Sequence, residues 1–360
     1  MLRKPVVMQR TMIDNVRMWS AWQPDRNLFF NSFFVETAEG NCAVDPLPLD
    51  EPGLAEIEAA GGLTWVVVTN RDHERDARAL AARFGAKLAA SALDAPLLAG
   101  PVDRTLEPGE KILGAVVVPL EGFKTPGEIA LHLPAARTVI LGDALWGDPA
   151  GSLRLMPDGK LADPPGAALS LRRVGALRPE HLLVGDGACI FGGATRALWA
   201  CLEARTDTYV NRISVEDAFR LDERRSDREH YAGTWSNIDF TIGAEKLGYV
   251  VARIPPGNAF CPLHWHAAEE ELFVVLEGTP TLRTPRGTIA LRRGDFVAFP
   301  ARASGAHKLI NGSDRPCEVL MLSNIDKNDV CYYPDSRKFV IDASDLMLRD
   351  HPTLDYWDGE

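Results

Sequence analysis

Four residues of this chain have the types and spacing to hold a metal ion: His264, His266, Glu271 and His307. Side chains two apart on an extended segment project to the same face, so His264 and His266 present two imidazoles together. Glu271 follows after a bend and adds a carboxylate, with Leu272, Val274 and Leu276 alternating against it. His307, at the start of a later β run, supplies a third imidazole. Three neutral nitrogens and one carboxylate suit a single divalent transition metal with positions left for water and substrate. Fe or Mn stands first, with Ni, Co, Cu or Zn compatible. A closed structural zinc site would more often use thiolates. Arg253, one strand earlier, and Met321, on the last core strand, are expected to line the pocket if alternation turns them inward. An inward Arg would suit a carboxylate or phosphate substrate.

The segments around these residues are strand-like. From Lys246 to Ser323 short β runs follow one another between turn signals: 249–254, 272–276, 281–284, 288–291, 295–299, 307–310 and 318–322. Such spacing predicts a sandwich or barrel. The first half instead alternates strands (28–36, 42–44, 64–69, 115–120, 129–133, 138–141, 181–184) with helices (54–60, 73–84, 194–205), a layered α/β pattern. The texture changes near residues 206–212, so two domains are expected, 1–206 and 207–360. A chain of 360 residues is long enough for each to bury its own core.

GNAFCPLHWHAAEEELFVVLEG (257–278) resembles the first conserved motif of the cupin superfamily, with Gly257, His264, His266, Glu271 and Gly278 in its places. GDFVAFPARASGAHKLIN (294–311) resembles the companion motif through Gly294, Pro300, His307 and Asn311. Its stretch from Pro300 to His307 is two residues longer and carries its glycine at Gly305. The spacing to Gly278 favours Glu271 over its neighbour Glu270 as the ligand. The resemblance implies an all-β double-stranded β-helix, or jelly-roll, barrel that commonly pairs as a homodimer. It also implies oxygenase, isomerase, decarboxylase or lyase chemistry at the metal, with dioxygenase first. The following tail, 328–341, resembles a segment found after the barrel in one group of cupins and is expected to pack on the barrel or on a second subunit.

Residues 28–204 resemble the metallo-β-lactamase fold, an αββα sandwich, and the whole chain is therefore expected to be α+β with two domains. NSFFVETAEGNCAVDP (31–46) is similar to its opening hairpin, residues 65–91 to the strand, metal loop and helix, and 125–147 to the later hairpin ending at a metal-bridging Asp. Most of the ligands that the resemblance implies are absent. Where HXHXDH would stand, the chain has Asn70, Asp72, Glu74 and Arg75, with His73 between ligand positions. Gly122-Phe123 and Gly185-Asp186-Gly187 replace two further histidine sites, and only Asp143 is retained. The expectation is a degenerate domain without hydrolase activity, in which Asp72, His73, Asp143 and Asp186 are the remnants of a site that could hold a harder cation.

A formal net charge of -11 without a Lys/Arg run offers no attraction for nucleic acid or an anionic membrane. No stretch supplies about 18 continuous apolar residues, and the expected location is cytoplasmic. Six dispersed cysteines form no CxxC pair; Cys261, three residues before His264, is the one to watch. The functional expectation is a metal-dependent cupin enzyme acting on a small oxygen-rich molecule. The alternative is a metal-dependent small-molecule binder or sensor whose first domain is an interaction module.

Overall fold

The computed structural model describes residues 7–205, 209–344, 346–350 and 357. The chain divides into two compact units, Met1–Val210 and Asn211–Glu360. Among the described residues no helix is long and apolar enough to cross a membrane.

In the first unit one hydrogen-bonded path runs through the strands Arg104–Leu106, Lys87–Ser91, Trp65–Val68, Gly40–Val44, Leu28–Thr37, His181–Gly187, Thr138–Gly147, Ile129–Leu133, Ala115–Pro119 and Lys111–Ile112. Period-two alternation sorts their side chains. Phe33, Val35, Val44 and Val67 from one half of the path share a buried cluster with Ile129, Leu131, Ile140 and Leu183 from the other half. The intervening residues Phe34, Ala43, Val66 and Val68 turn the other way onto Ile57 and Leu80 of the helices Glu51–Ala59 and Ala77–Phe84. Likewise Val139, Leu141, Leu182 and Val184 pack on Leu171, Val174, Leu198 and Leu202. Helix Ala194–Glu203 supplies the last two of these.

The expected helix over 73–84 is broken. Asn70 accepts a hydrogen bond from the Asp72 amide and caps a short 3-10 turn, Arg71–His73. Arg75 then adopts φ +40°, which ends the turn, and the helix restarts at Ala77. The strand Val16–Gln23 was not expected; it pairs with Leu28–Thr37 along its whole length.

The second unit is built of antiparallel strands. A six-stranded sheet runs Arg224–Ser226, Gly233–Asn237, Leu247–Ile254, Cys317–Asn324, Glu271–Glu277, Phe296–Phe299, and a three-stranded sheet runs Gly287–Ala290, Thr281–Thr284, Lys308–Ile310. One core draws on both sheets: Ala252, Ile254, Phe273, Val275, Phe299, Val319 and Met321 from the first, Leu282 and Leu309 from the second. The seven β runs expected here are all strands, with ends within two residues of the expected bounds. The tail also forms strands. Val330–Tyr333, Lys338–Ile341 and Leu346–Arg349 make a four-stranded sheet with Trp265–His266, the strand that carries the histidine pair.

Candidate metal centres

The C-terminal cluster is assembled by pairing between distant segments. His264 and His307 face each other across an isolated antiparallel bridge, each amide donating to the other's carbonyl at 3.1 and 2.9 Å. Glu271 opens its strand and shares its inner face with Phe273 and Val275, both buried. Glu271 Oε2 lies 3.2 Å from Nε2 of His307, 3.5 Å from that of His266 and 3.8 Å from that of His264. The four residues expected from spacing and alternation therefore meet around one carboxylate oxygen.

Each imidazole is held by its other nitrogen. His264 Nδ1 donates to the Pro262 carbonyl at 3.0 Å, His307 Nδ1 to the Gly305 carbonyl at 2.9 Å, and His266 Nδ1 meets Asp329 Oδ2 at 2.7 Å. A carbonyl only accepts, so in His264 and His307 the proton sits on Nδ1 and the Nε2 lone pair is presented inward. His307 Nε2 and Glu271 Oε2 are buried and lack a hydrogen-bond partner. Two acceptors 3.2 Å apart require a positive species beside them, either a proton or a cation. Burial pushes Glu271 up to about 7 against the opposing effect of His266, and it pulls His264 down to about 4 and His307 to about 3, where for these two rings the neighbouring imidazoles act in the same direction as burial. At neutral pH the His264 and His307 imidazoles are therefore neutral, as metal ligation requires. This donor set, its orientation and its unsatisfied atoms fit a divalent cation.

Three nearby residues escaped sequence reasoning. Asp329, fully buried, receives the Ala268 and Glu269 amides besides the His266 ring. Tyr333 stacks on His264 with ring centroids 5.9 Å apart, and Cys331 lies beside His264 and His266. All three come from the tail, which the sequence marks only by its resemblance to a segment found after the barrel and by its richness in Tyr, Asp and Arg. Cys261 Sγ is 3.5 Å from His264 Nδ1, and burial raises its thiol far above the usual range, so it is neutral.

Of the two pocket candidates, Met321 is on the inner face, paired across strands with Phe273 and one alternation step below Glu271's partner Ser323. Arg253 is not in the pocket. It lies between Ala252 and Ile254, both fully buried, so alternation turns it outward. There it pairs with Glu318 at 2.8 Å and lies 3.9 Å over the Phe219 ring.

In the first unit the structure brings together His73, Asp143 and Asp186, while Asp72 stands apart, paired with Lys124 and Arg71. Both nitrogens of His73 are engaged: Nδ1 with Asp45 at 2.8 Å and Nε2 with Asp143 at 2.5 Å. Asp45, missed by sequence reasoning, is anchored by the Thr69 amide and hydroxyl at 2.7 and 2.6 Å. Burial lowers the His73 pKa, but Asp45 and then Asp143 outweigh it and raise it to about 10, so this imidazole is cationic. The Arg75 guanidinium reaches 3.1 Å from His73 Nε2 and 3.8 Å from Asp186. Two fixed cations already stand among the acids; both His73 nitrogens are engaged, while Asp186 Oδ1 is buried without a hydrogen-bond partner.

Residues 8–203 match the family model described as metallo-beta-lactamase superfamily, and residues 250–323 match the cupin domain model. A curated relative, hydroxyacylglutathione hydrolase of Acidiphilium cryptum, is 36% identical over 161 residues, which are 42% of this chain and 58% of the relative. The chain thus spans less than two thirds of that relative's length. Among solved structures, a putative sugar phosphate isomerase from Acidithiobacillus ferrooxidans is 22% identical, covers 41% of this chain and 97% of its own, and has a TM-score of 0.37. A metallo-beta-lactamase from Pontibacter korlensis is 17% identical over 56% of this chain and 100% of its own, with a TM-score of 0.47. With more than half of its residues matched, the chain belongs to the metallo-beta-lactamase superfamily and carries a cupin domain after that first domain.

Proposed function

We propose that the C-terminal unit is a jelly-roll barrel holding one divalent transition metal through Nε2 of His264, His266 and His307 and a Glu271 oxygen. The first unit is then an αββα sandwich without hydrolase activity. The observation that carries the reading is the pair of buried, unpartnered acceptors, His307 Nε2 and Glu271 Oε2, in a cluster whose three Nδ1 atoms are all engaged.

The barrel acts on a small oxygen-rich organic molecule, with dioxygenase chemistry ahead of isomerisation, decarboxylation or lyase chemistry. When bound, a metal of this kind supplies Lewis-acid polarisation of substrate oxygens and, if redox-active, electron exchange with dioxygen. The chain's own contribution is orientation and exclusion of water. Phe299 stacks on His307 at 3.7 Å, and Phe273 meets the same ring edge-on at 5.1 Å. Both phenyl rings are buried, so they fix that imidazole and dry the wall behind it.

Elemental analysis of the purified full chain is expected to give one Fe, Mn or related ion per chain, lost in both His264→Ala and His307→Ala. Retention in both variants would remove the site. Oxygen uptake against small diols, enols and keto acids then tests the reaction, and silence across that panel with metal bound favours a metal-dependent binder.

A further inference from the structure

The first unit contains a cavity of about 690 Å³, within the size range of small-molecule sites. Its floor is the cluster of His73, Asp143, Asp186 and Arg75, and Arg26, Lys124 and Lys160 also line it. The charges are not evenly matched. Asp143 is committed to His73, Asp186 lies nearest Arg75, and Asp72 is paired with Lys124. Among the described residues no carboxylate lies within ion-pair distance of Arg26 or Lys160. The cavity therefore has surplus positive charge in a chain whose net charge is -11.

Both surplus cations stand beside aromatic faces that also line the cavity. Arg26 is 5.8 Å from the Phe30 ring centroid, and Lys160 is 5.4 Å from that of Trp146. Leu47 and Met156 complete an apolar part of the wall. Cationic groups above flat apolar surface suit a molecule with a charged end and a carbon skeleton. The position a metal would need, among His73, Asp143 and Asp186, is instead served by the Arg75 guanidinium, held by the Asn31 and Asp45 carbonyls at 2.8 and 3.2 Å.

We propose that this cavity is a metal-free receptor for a small organic anion, with Arg26 and Lys160 pairing its charge and Phe30 and Trp146 flanking its carbon skeleton. Arg75 acts as the fixed cation of the floor. The ligand is a carboxylate or a phosphate monoester, and the function is binding, separate from the cupin centre.

The test is calorimetric titration of the full chain with glycerol 3-phosphate, succinate and inorganic phosphate. At least one organic probe is expected to bind saturably, and its identity separates phosphate from carboxylate recognition. In an Arg26→Gln, Lys160→Gln double variant the affinity is expected to fall by about tenfold or more with unchanged melting and metal content. In a His264→Ala, His307→Ala double variant, which disables the other centre, binding is expected to persist. The proposal is overturned if no probe saturates at millimolar concentration, if binding survives in the first double variant, or if it disappears in the second. It is equally overturned if the His264→Ala, His307→Ala protein binds zinc or manganese in a manner abolished by Asp143→Asn, because the cavity would then be a metal site.

Discussion

Asp329 accepts the Nδ1 proton of His266 at 2.7 Å across 63 positions of sequence, and no part of the Asp329 side chain is exposed. Burial alone would raise this carboxyl, yet hydrogen bonds from the Ala268 amide, the His266 ring and the Glu269 amide outweigh it and hold Asp329 below the ordinary range. An ionised carboxylate behind an imidazole fixes the ring and makes its outer nitrogen more basic. Asp329→Ala is expected to weaken metal binding by roughly 10–100-fold. It also strands two amides, at about 1–3 kcal/mol. Titration against a chelator of known affinity checks the first, and wild-type affinity in the variant would deny Asp329 this positioning role.

Metal loading is expected to release protons in a pH-dependent way. Glu271, raised to about 7 from 4.5, keeps in the folded metal-free protein a proton that the unfolded chain has lost between those values. Its contribution to metal-free stability is therefore present below 4.5 and lost as pH rises through 7. His264 and His307 shed theirs near 4 and 3. Calorimetry in buffers of different ionisation enthalpy is expected to find more protons released per metal at pH 6 than at pH 8, with Glu271 giving up about one at the lower pH and almost none at the higher. Equal release at the two pH values would mean that Glu271 is already ionised at pH 6.

Alkaline conditions are expected to loosen the first unit. The folded pKa of His73 is raised from 6.5 to about 10, so its stabilising contribution is full below 6.5 and is lost as pH rises through 10. His73→Gln removes that titration. Melting of the wild type is expected to fall more steeply than that of the variant between these limits, and parallel slopes would contradict the ion-paired imidazolium.

Gly305 has a role that its displacement in the motif conceals. A Cβ there would lie 1.9 Å from the Pro300 carbonyl oxygen, and the Gly305 carbonyl holds His307 Nδ1. Gly305→Ala is expected to cost about 1–3 kcal/mol through overpacking and to lower metal content together with the melting temperature. A variant normal in both would show that the loop yields without cost.

Arg253→Ala is expected to leave metal content unchanged and to cost less than about 1 kcal/mol, since its ion pair with Glu318 is partly solvated. Loss of metal or of turnover in this variant would put the residue back in the pocket.

The four clustered residues were legible because their signal is local: two histidines in alternation, a glutamate one bend later, and a histidine opening a strand. Asp329 was not, since its link to His266 depends on the pairing of His266 with Cys331, and nothing in local periodicity announces a partner so distant. Arg253 was misplaced through the phase of alternation. Its small or apolar neighbours Ala252 and Ile254 define the buried face, and the charged residue between them takes the other. The helices Pro164–Ser170 and Arg172–Ala176 went unseen because Pro164, Pro165, Gly166 and Gly175 read as turn residues. Tertiary burial of Ala167, Leu171 and Val174 overrides that local preference. In the first unit the missing histidines were plain in the sequence, but the guanidinium among the remaining acids required the left-handed turn at Arg75.

Pairing between Trp265–His266 and Val330–Tyr333 also orders events during synthesis. Once synthesis has passed His307 the four proposed ligands have all been made, yet the two-residue strand bearing His266 still lacks its neighbour and its buried carboxylate. The tail is thus the last part of the proposed site to be made, and a chain stopped shortly before Asp329 is expected to hold the four ligands with His266 unsupported and to bind metal more weakly.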